Sequence, residues 1–233
     1  MKIFGRGFNF SEDGPGNRLV YHLSGCNMHC PWCSNPEGMD GLTGTDCTVD
    51  EIVSECVRSR PMFFEGGGVT FTGGEATLWH TELFEVLSRL KKEGIHTAIE
   101  TNATSAQLLA LSPYIDYLIM DFKHFDSDVL KQYTGIGNAQ ILKNFVGLCA
   151  LRTQLHIRIP LIHGFNTDDP EGFAAFFSAH DTSHCVFEFL PYHEYGKEKW
   201  KTPYQIKDGF ITPEIQKSFE QAFLSHALIT VKT

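Results

Sequence analysis

Ser24-Gly25-Cys26-Asn27-Met28-His29-Cys30-Pro31-Trp32-Cys33-Ser34-Asn35-Pro36 decides the reading of this chain. Three thiols fall within eight residues, spaced C-x3-C-x2-C. Gly25 and Pro31 punctuate the loop, so three sulfurs can aim at one centre with a fourth position open. Thiolates are ligands for soft metals and iron–sulfur clusters. Zinc is the competing reading: closed zinc sites take four ligands, so His22, His29 or Cys47 would complete one. None of these shows the paired spacing usual for zinc. Three clustered thiols with no evident fourth suit a cubane cluster that keeps one iron open.

The flanks place this loop on a fold. Arg18-Leu19-Val20-Tyr21-His22-Leu23 reads as the first strand, after the turn-rich run 12–17, so the cysteines leave its C-terminal end. Thr48 and Glu51 form a capping box that opens a helix to about residue 59. Val69-Thr70-Phe71-Thr72 is a strand ending in Gly73-Gly74-Glu75. Leu83, Val86, Leu87 and Leu90 carry a helix that stops at Gly94. Residues 95–100, 117–121, 156–159 and 185–190 read as further strands. Helices are expected over 138–151, from Asp169-Pro170 to about 179, and from Thr212-Pro213 to about 225. Residues 228–231 close the chain as a short strand. Strand and helix alternate about six times with short connections, which implies parallel strands and right-handed crossovers. Six units are too few for a closed eight-unit barrel. The expected fold is an α/β partial (β/α)6 barrel, one domain spanning residues 1–233.

Global properties agree. The chain has 233 residues, net charge −9 and 42% hydrophobic residues, ordinary for a globular protein. An acidic total argues against a nucleic-acid face, and no apolar run is long enough for a membrane span or a signal peptide. The seven cysteines are an odd number, with Cys47, Cys56, Cys149 and Cys185 scattered. That is not a secreted disulfide framework, and a cytoplasmic protein with reduced thiols is expected.

On these strands the polar residues other than Arg158 collect at one rim, where parallel α/β folds place their ligands, and Arg158 lies close to it. Cys26, Cys30 and Cys33 follow one strand, Gly73-Gly74-Glu75 end the next, and Glu100-Thr101-Asn102 end the third. Asp121 and Lys123 end the fourth, Arg158 lies on the fifth, and His193 follows the sixth. Taken singly, each has a bland reading: a strand-end turn for the glycines, a surface charge for Lys123 or Arg158, a structural ring for His193 or Trp32.

The cysteine loop, with Trp32 before its last thiol, resembles the signature of the radical S-adenosylmethionine (SAM) superfamily, and Gly73-Gly74-Glu75 resembles its GGE element. Residues 13–18, 67–70, 100–102, 121–123 and the run Leu190-Pro191-Tyr192-His193-Glu194-Tyr195-Gly196-Lys197 are similar to the glycyl-radical-enzyme activating enzymes. The likeness spans residue 5 to about residue 200. It implies that the three cysteines hold a [4Fe–4S] cluster whose fourth iron binds SAM. An electron from the cluster would cleave the sulfonium, and the resulting 5′-deoxyadenosyl radical would take a Cα hydrogen from a glycine of a partner enzyme. By overall likeness that partner is pyruvate formate-lyase.

The resemblance also implies roles for single residues. Gly73, Gly74 and Glu75 would lie at the methionine amino group. Lys123 and Arg158 would meet the carboxylate and ribose region, and His193 the adenosyl part. The backbone of Trp32, Cys33 and Ser34 would lie near the adenine; Asn102 and Phe122 join by position. Glu100, Thr101, Asp121 and the Ile119 carbonyl would bind a monovalent cation, Na+ or K+, an oxygen-rich site for a hard ion. A salt bridge between Asp121 and Lys123 is the alternative use of that carboxylate.

There are departures. Glu100 stands where the family usually has Asp, Ser34 where several members have His, and Ala103 where Gly is common. Residues 34–66 hold only Cys47 and Cys56, too few for the second cluster that many activases carry. The electron must therefore come from outside, from a flavodoxin-like donor, and a monomer is expected. Two other readings stay open: a small-molecule enzyme of the same superfamily, such as a carboxy-deazaguanine synthase, and a non-catalytic zinc or iron–sulfur module.

Overall fold

The strand expected to be first is the second. The computed structural model describes residues 1–231, and Lys2–Phe10 already forms a strand, β1. Gly5, Arg6 and Gly7 interrupt its apolar pattern, yet Phe4, Phe8 and Phe10 keep the two-residue period of a strand. The chain divides into two compact units, one of residues 1–27 and 35–119, the other of residues 28–34 and 120 onward. The division runs through the cysteine loop: Cys26 belongs to the first unit, Cys30 and Cys33 to the second.

In the first unit β1 pairs antiparallel with β2 (Asn17–Leu23), and β3 (Thr45–Asp46) pairs antiparallel with β1. β4 (Gly68–Gly73) and β5 (Thr97–Thr101) add in parallel, giving the order β3-β1-β2-β4-β5. Helix α1 (Val49–Arg58) starts with the expected capping box, Thr48 and Glu51 each closing on the other's backbone. Helix α2 (His80–Lys92) buries Leu83, Val86, Leu87 and Leu90. Gly94 follows its end at φ +65°, the left-handed conformation that glycine adopts without strain. The short helix α3 (Leu108–Leu111) and strand β6 (Tyr117–Asp121) complete this half of the chain, and the division between the units falls inside β6.

Alternation along β2 and β4 sorts the side chains. Tyr21 stacks on Phe71 on one face, with ring centroids 5.5 Å apart. The opposite face is polar. Arg18, fully buried, donates from Nε to Thr70 Oγ1 over 2.6 Å and from Nη2 to the Val69 carbonyl over 2.7 Å. Its Nη1 reaches the Pro15 carbonyl at 3.1 Å, and Thr70 Oγ1 donates to the Asp13 carbonyl at 2.7 Å. Residues 13–16 are thereby a pinned turn. Burial lowers the Arg18 pKa to about 10.

In the second unit β7 (Leu155–Leu161), β8 (Cys185–Pro191) and β9 (Thr230–Val231) are parallel neighbours. Helices α4 (Ser127–Thr134), α5 (Ala139–Ala150), α6 (Pro170–Ser178) and α7 (Pro213–Ser225) belong to this unit. Its core is aromatic. Phe187 on β8 meets Phe177 of α6 at 4.7 Å and Phe223 of α7 at 5.1 Å. Alternation turns Ile157, Ile159, Phe187 and Phe189 into this core, which leaves His156, Arg158 and Glu188 on the other face.

Candidate active site

Each unit carries its own part of the expected site. In the first, Gly73 and Gly74 lie against the exit of β2. A Cβ at Gly74 would overlap the Gly25 carbonyl oxygen, one residue before Cys26. Backbone bonds fix the loop there: Gly74 N–H to the Leu23 carbonyl (2.8 Å), Glu75 N–H to that of Gly25 (2.7 Å), and Cys26 N–H to that of Met39 (3.1 Å). Glycine at position 74 is thus a requirement of close packing.

Glu75 is 1% exposed and its carboxylate is occupied within the unit. Oε1 accepts from Thr101 Oγ1 (2.6 Å), the Thr77 N–H (3.0 Å) and the Thr77 hydroxyl; Oε2 accepts the Asn102 N–H (2.7 Å). Burial pushes the Glu75 carboxyl up, against the pull of these donors. Glu75 therefore ties the end of β4 to the end of β5. Glu100 accepts from Thr72 Oγ1 over 2.7 Å, and Asn102 reaches Cys26 and Asn27 with its side-chain amide.

In the second unit, the Cys33 N–H closes a turn on the Cys30 carbonyl at 3.1 Å, and the His29 N–H bonds the Thr134 carbonyl at 2.9 Å. The Trp32 ring is buried against Phe165, with centroids 4.5 Å apart, so it anchors the loop as a core aromatic. From the far end of the chain, Trp200 Nε1 donates to the Cys33 carbonyl at 3.2 Å and Lys199 Nζ to that of Ser34 at 3.1 Å. Lys123 is nearly buried and pairs with Asp121 at 3.1 Å. Arg158 pairs through Nε with Glu188 Oε2 at 2.8 Å, and His156 Nε2 lies 2.9 Å from the same oxygen. Burial alone would raise the Glu188 carboxyl, but His156 and Arg158 hold it below the ordinary value. His193 stacks on Tyr195 at 4.2 Å, and burial lowers its pKa.

The Phe122 ring turns away from the strand end. Phe122, placed at the cofactor by position, is 1% exposed with its ring among Phe145, Phe173, Phe176 and Phe177. It faces the aromatic core, and only its backbone, bonded to the Arg158 carbonyl at 2.8 Å, remains at the strand end. Glu188, His156 and Trp200 were not anticipated. A lone acidic residue between Phe187 and Phe189 in an apolar strand was the signal for Glu188; Trp200 lies 167 residues from Cys33, with no local signal.

Among the described residues, no three His, Cys, Asp or Glu side chains are gathered as a ready metal site. The donor chemistry of the loop nevertheless fits a thiolate-bound cluster. All three cysteines are outside disulfides, and Cys26 has an amide donor turned toward its sulfur, as thiolate ligands of iron–sulfur centres do.

The sequence profile of the Radical SAM superfamily matches residues 20–177. The chain belongs to that superfamily. It is 32% identical over 226 residues to a pyruvate formate-lyase-activating enzyme of Staphylococcus epidermidis, covering 91% of this chain and 89% of the relative. It therefore falls with the activating enzymes of that family. A crystallised domain of a pyruvate-formate lyase-activating enzyme from Bacteroides vulgatus superposes with TM-score 0.61 and 28% identity, over 72% of this chain and all but 1% of that domain. A radical SAM methyltransferase from Sphaerobacter thermophilus shares the fold alone, with TM-score 0.70 at 18% identity over 97% of this chain and 68% of that one. The α/β partial-barrel class expected from strand alternation is the class of these relatives. This radical SAM enzyme works with an iron–sulfur cluster and SAM, as its family does, and among the described residues no helix is long and apolar enough to cross a membrane.

Proposed function

We propose that this enzyme activates a glycyl radical enzyme, pyruvate formate-lyase being the chosen candidate, by removing a Cα hydrogen from one of its glycines. The observation that carries the reading is the likeness to pyruvate formate-lyase-activating enzymes over nine-tenths of the chain. It draws support from the run Leu190–Lys197, which the small-molecule and metal-module alternatives leave unexplained. When bound, a [4Fe–4S] cluster and SAM supply one-electron cleavage of a sulfonium and a hydrogen-abstracting carbon radical.

The chain's own residues hold and orient. Cys26, Cys30 and Cys33 would hold the cluster through their thiolates. Lys123 offers an ammonium to the cofactor carboxylate, and Arg158, locked by Glu188, adds a second fixed cation. Gly73 and Gly74 bring backbone groups close, while His193 and the backbone of Trp32, Cys33, Ser34 and Phe122 take the adenosyl part. Glu100, Thr101, Asp121 and the Ile119 carbonyl are taken as oxygen donors for Na+ or K+. With no second cysteine cluster in residues 34–66, reduction comes from an external flavodoxin-like donor. Residues 1–233 act as one domain, in a cytoplasmic monomer.

Electron paramagnetic resonance after anaerobic incubation with pyruvate formate-lyase, reductant and SAM tests this. A glycyl radical doublet on the partner, with 5′-deoxyadenosine formed in step, is expected. Deoxyadenosine without any partner radical would move the reading to a small-molecule substrate. Stoichiometric zinc and no cleavage would sink both.

A further inference from the structure

Cys26 sits beside a closed ring of hydrogen bonds built wholly within the first unit. Asn102 Nδ2 donates to Asn27 Oδ1 at 3.1 Å, and Asn27 Nδ2 donates to Thr104 Oγ1 at 2.7 Å. Thr104 Oγ1 then donates to Asn102 Oδ1 at 2.6 Å, which closes the ring. The orientation is not a free choice. The Thr104 backbone N–H, a donor only, also meets Asn102 at 3.0 Å, so the atom there must be the oxygen. The other end of the amide is then the NH2 group. One of its hydrogens goes to Asn27, and the other faces Cys26 Sγ at 3.9 Å.

The backbone under this amide is held as firmly. The Asn102 N–H is bonded to the buried Glu75 carboxylate, and Thr101 Oγ1 accepts the Ala103 N–H at 3.0 Å. Ala103 has φ +58°, a left-handed conformation that costs a non-glycine residue about 1–2 kcal/mol. Such a conformation persists where its surroundings over-determine it, and it clusters at functional positions.

We propose that Asn102 is a positioning residue for the iron–sulfur centre: its amide N–H is aimed at the Cys26 sulfur, and raises the reduction potential of the centre bound there. A hydrogen bond to a ligand sulfur disperses negative charge, so it favours the reduced, more negative state of the cluster. Glu75, Thr101 and Thr104 hold the amide in place. Asn102 thus acts through Cys26, which differs from direct contact with SAM. The inference rests on the cluster reading.

The test is an anaerobic redox titration of reconstituted wild type, Asn102→Ala and Thr104→Val, with iron per chain measured alongside. Full iron content and a midpoint potential shifted to more negative values are expected in both variants, further in Asn102→Ala. If Asn102→Ala loses its iron, Thr104→Val decides, because it leaves the amide in place but removes both hydrogen bonds of the Thr104 hydroxyl, so that the Thr104 backbone N–H alone still holds the Asn102 oxygen. Potentials unchanged from wild type in an iron-loaded variant would overturn the proposal. Wild type that takes up no iron would instead refute the cluster reading beneath it.

Discussion

Arg158 gives its Nε–H to Glu188 Oε2 over 2.8 Å, directly across the parallel register of β7 and β8. Both side chains are almost fully buried, and His156 shares the same oxygen. Removing one member of a buried pair leaves the other charge without compensation, which costs about 3–5 kcal/mol. Glu188→Ala is therefore expected to lower stability by about that amount in urea denaturation. A loss within about 0.5 kcal/mol, the range of surface substitutions, would show that the pair is not what secures Arg158.

The same carboxylate sets a pH dependence. Its pKa is held below the ordinary value of 4.5, so its stabilising effect is present above that value. It is lost as pH falls through the folded-state value. Glu75 works in the opposite sense: its pKa is raised, so its contribution is present below the ordinary carboxyl range and lost as pH rises through the folded value. The urea midpoint of wild type should fall more steeply below about pH 4.5 than that of Glu188→Gln. Parallel profiles would contradict the sign given for Glu188.

The parallel strands and helix starts were legible because their signals are local. Thr48 with Glu51, Asp169 with Pro170, and the spacing of Leu83 to Leu90 each lie within one or two helical turns. β1 was missed because Gly5 and Gly7 broke an apolar run whose partner, β2, gives it meaning only in three dimensions. The strand ends located the candidate residues along the chain, but strand register alone did not say which way a side chain turns. Phe122 shows this: one residue past β6, its ring enters the aromatic core. Glu75 shows it too, since four donors from Thr77, Thr101 and Asn102 occupy its carboxylate, and none of those bonds is visible as spacing.

Lys123 is held by Asp121 at 3.1 Å, with its side chain only 9% exposed. A nearly buried ammonium already positioned by a carboxylate gives up little conformational freedom when it meets an anionic ligand. Losing one such charge-assisted bond costs about 1.5–3 kcal/mol, roughly ten- to a hundredfold in affinity. Lys123→Ala should weaken SAM binding by that factor in equilibrium titration while iron per chain stays at the wild-type level. Unchanged affinity would remove Lys123 from the site.

Gly74 offers a steric test that needs no cofactor. The Glu75 N–H bonds the Gly25 carbonyl at 2.7 Å, and a Cβ at position 74 would overlap that oxygen. Backbone cannot yield as a flexible side chain does, so the strain of Gly74→Ala must move the turn that leads into Cys26. Overpacking of this kind costs about 1–3 kcal/mol, which lowers Tm by about 2–4 °C per kcal/mol in a domain of this size. Gly7→Ala is the control, because an added Cβ there meets nothing within 4 Å. Thermal unfolding of the cofactor-free chain should show a clear drop for Gly74→Ala and little change for Gly7→Ala. Equal Tm values would mean that β4 and the cysteine loop are not in the close contact on which the placement of Cys26 depends.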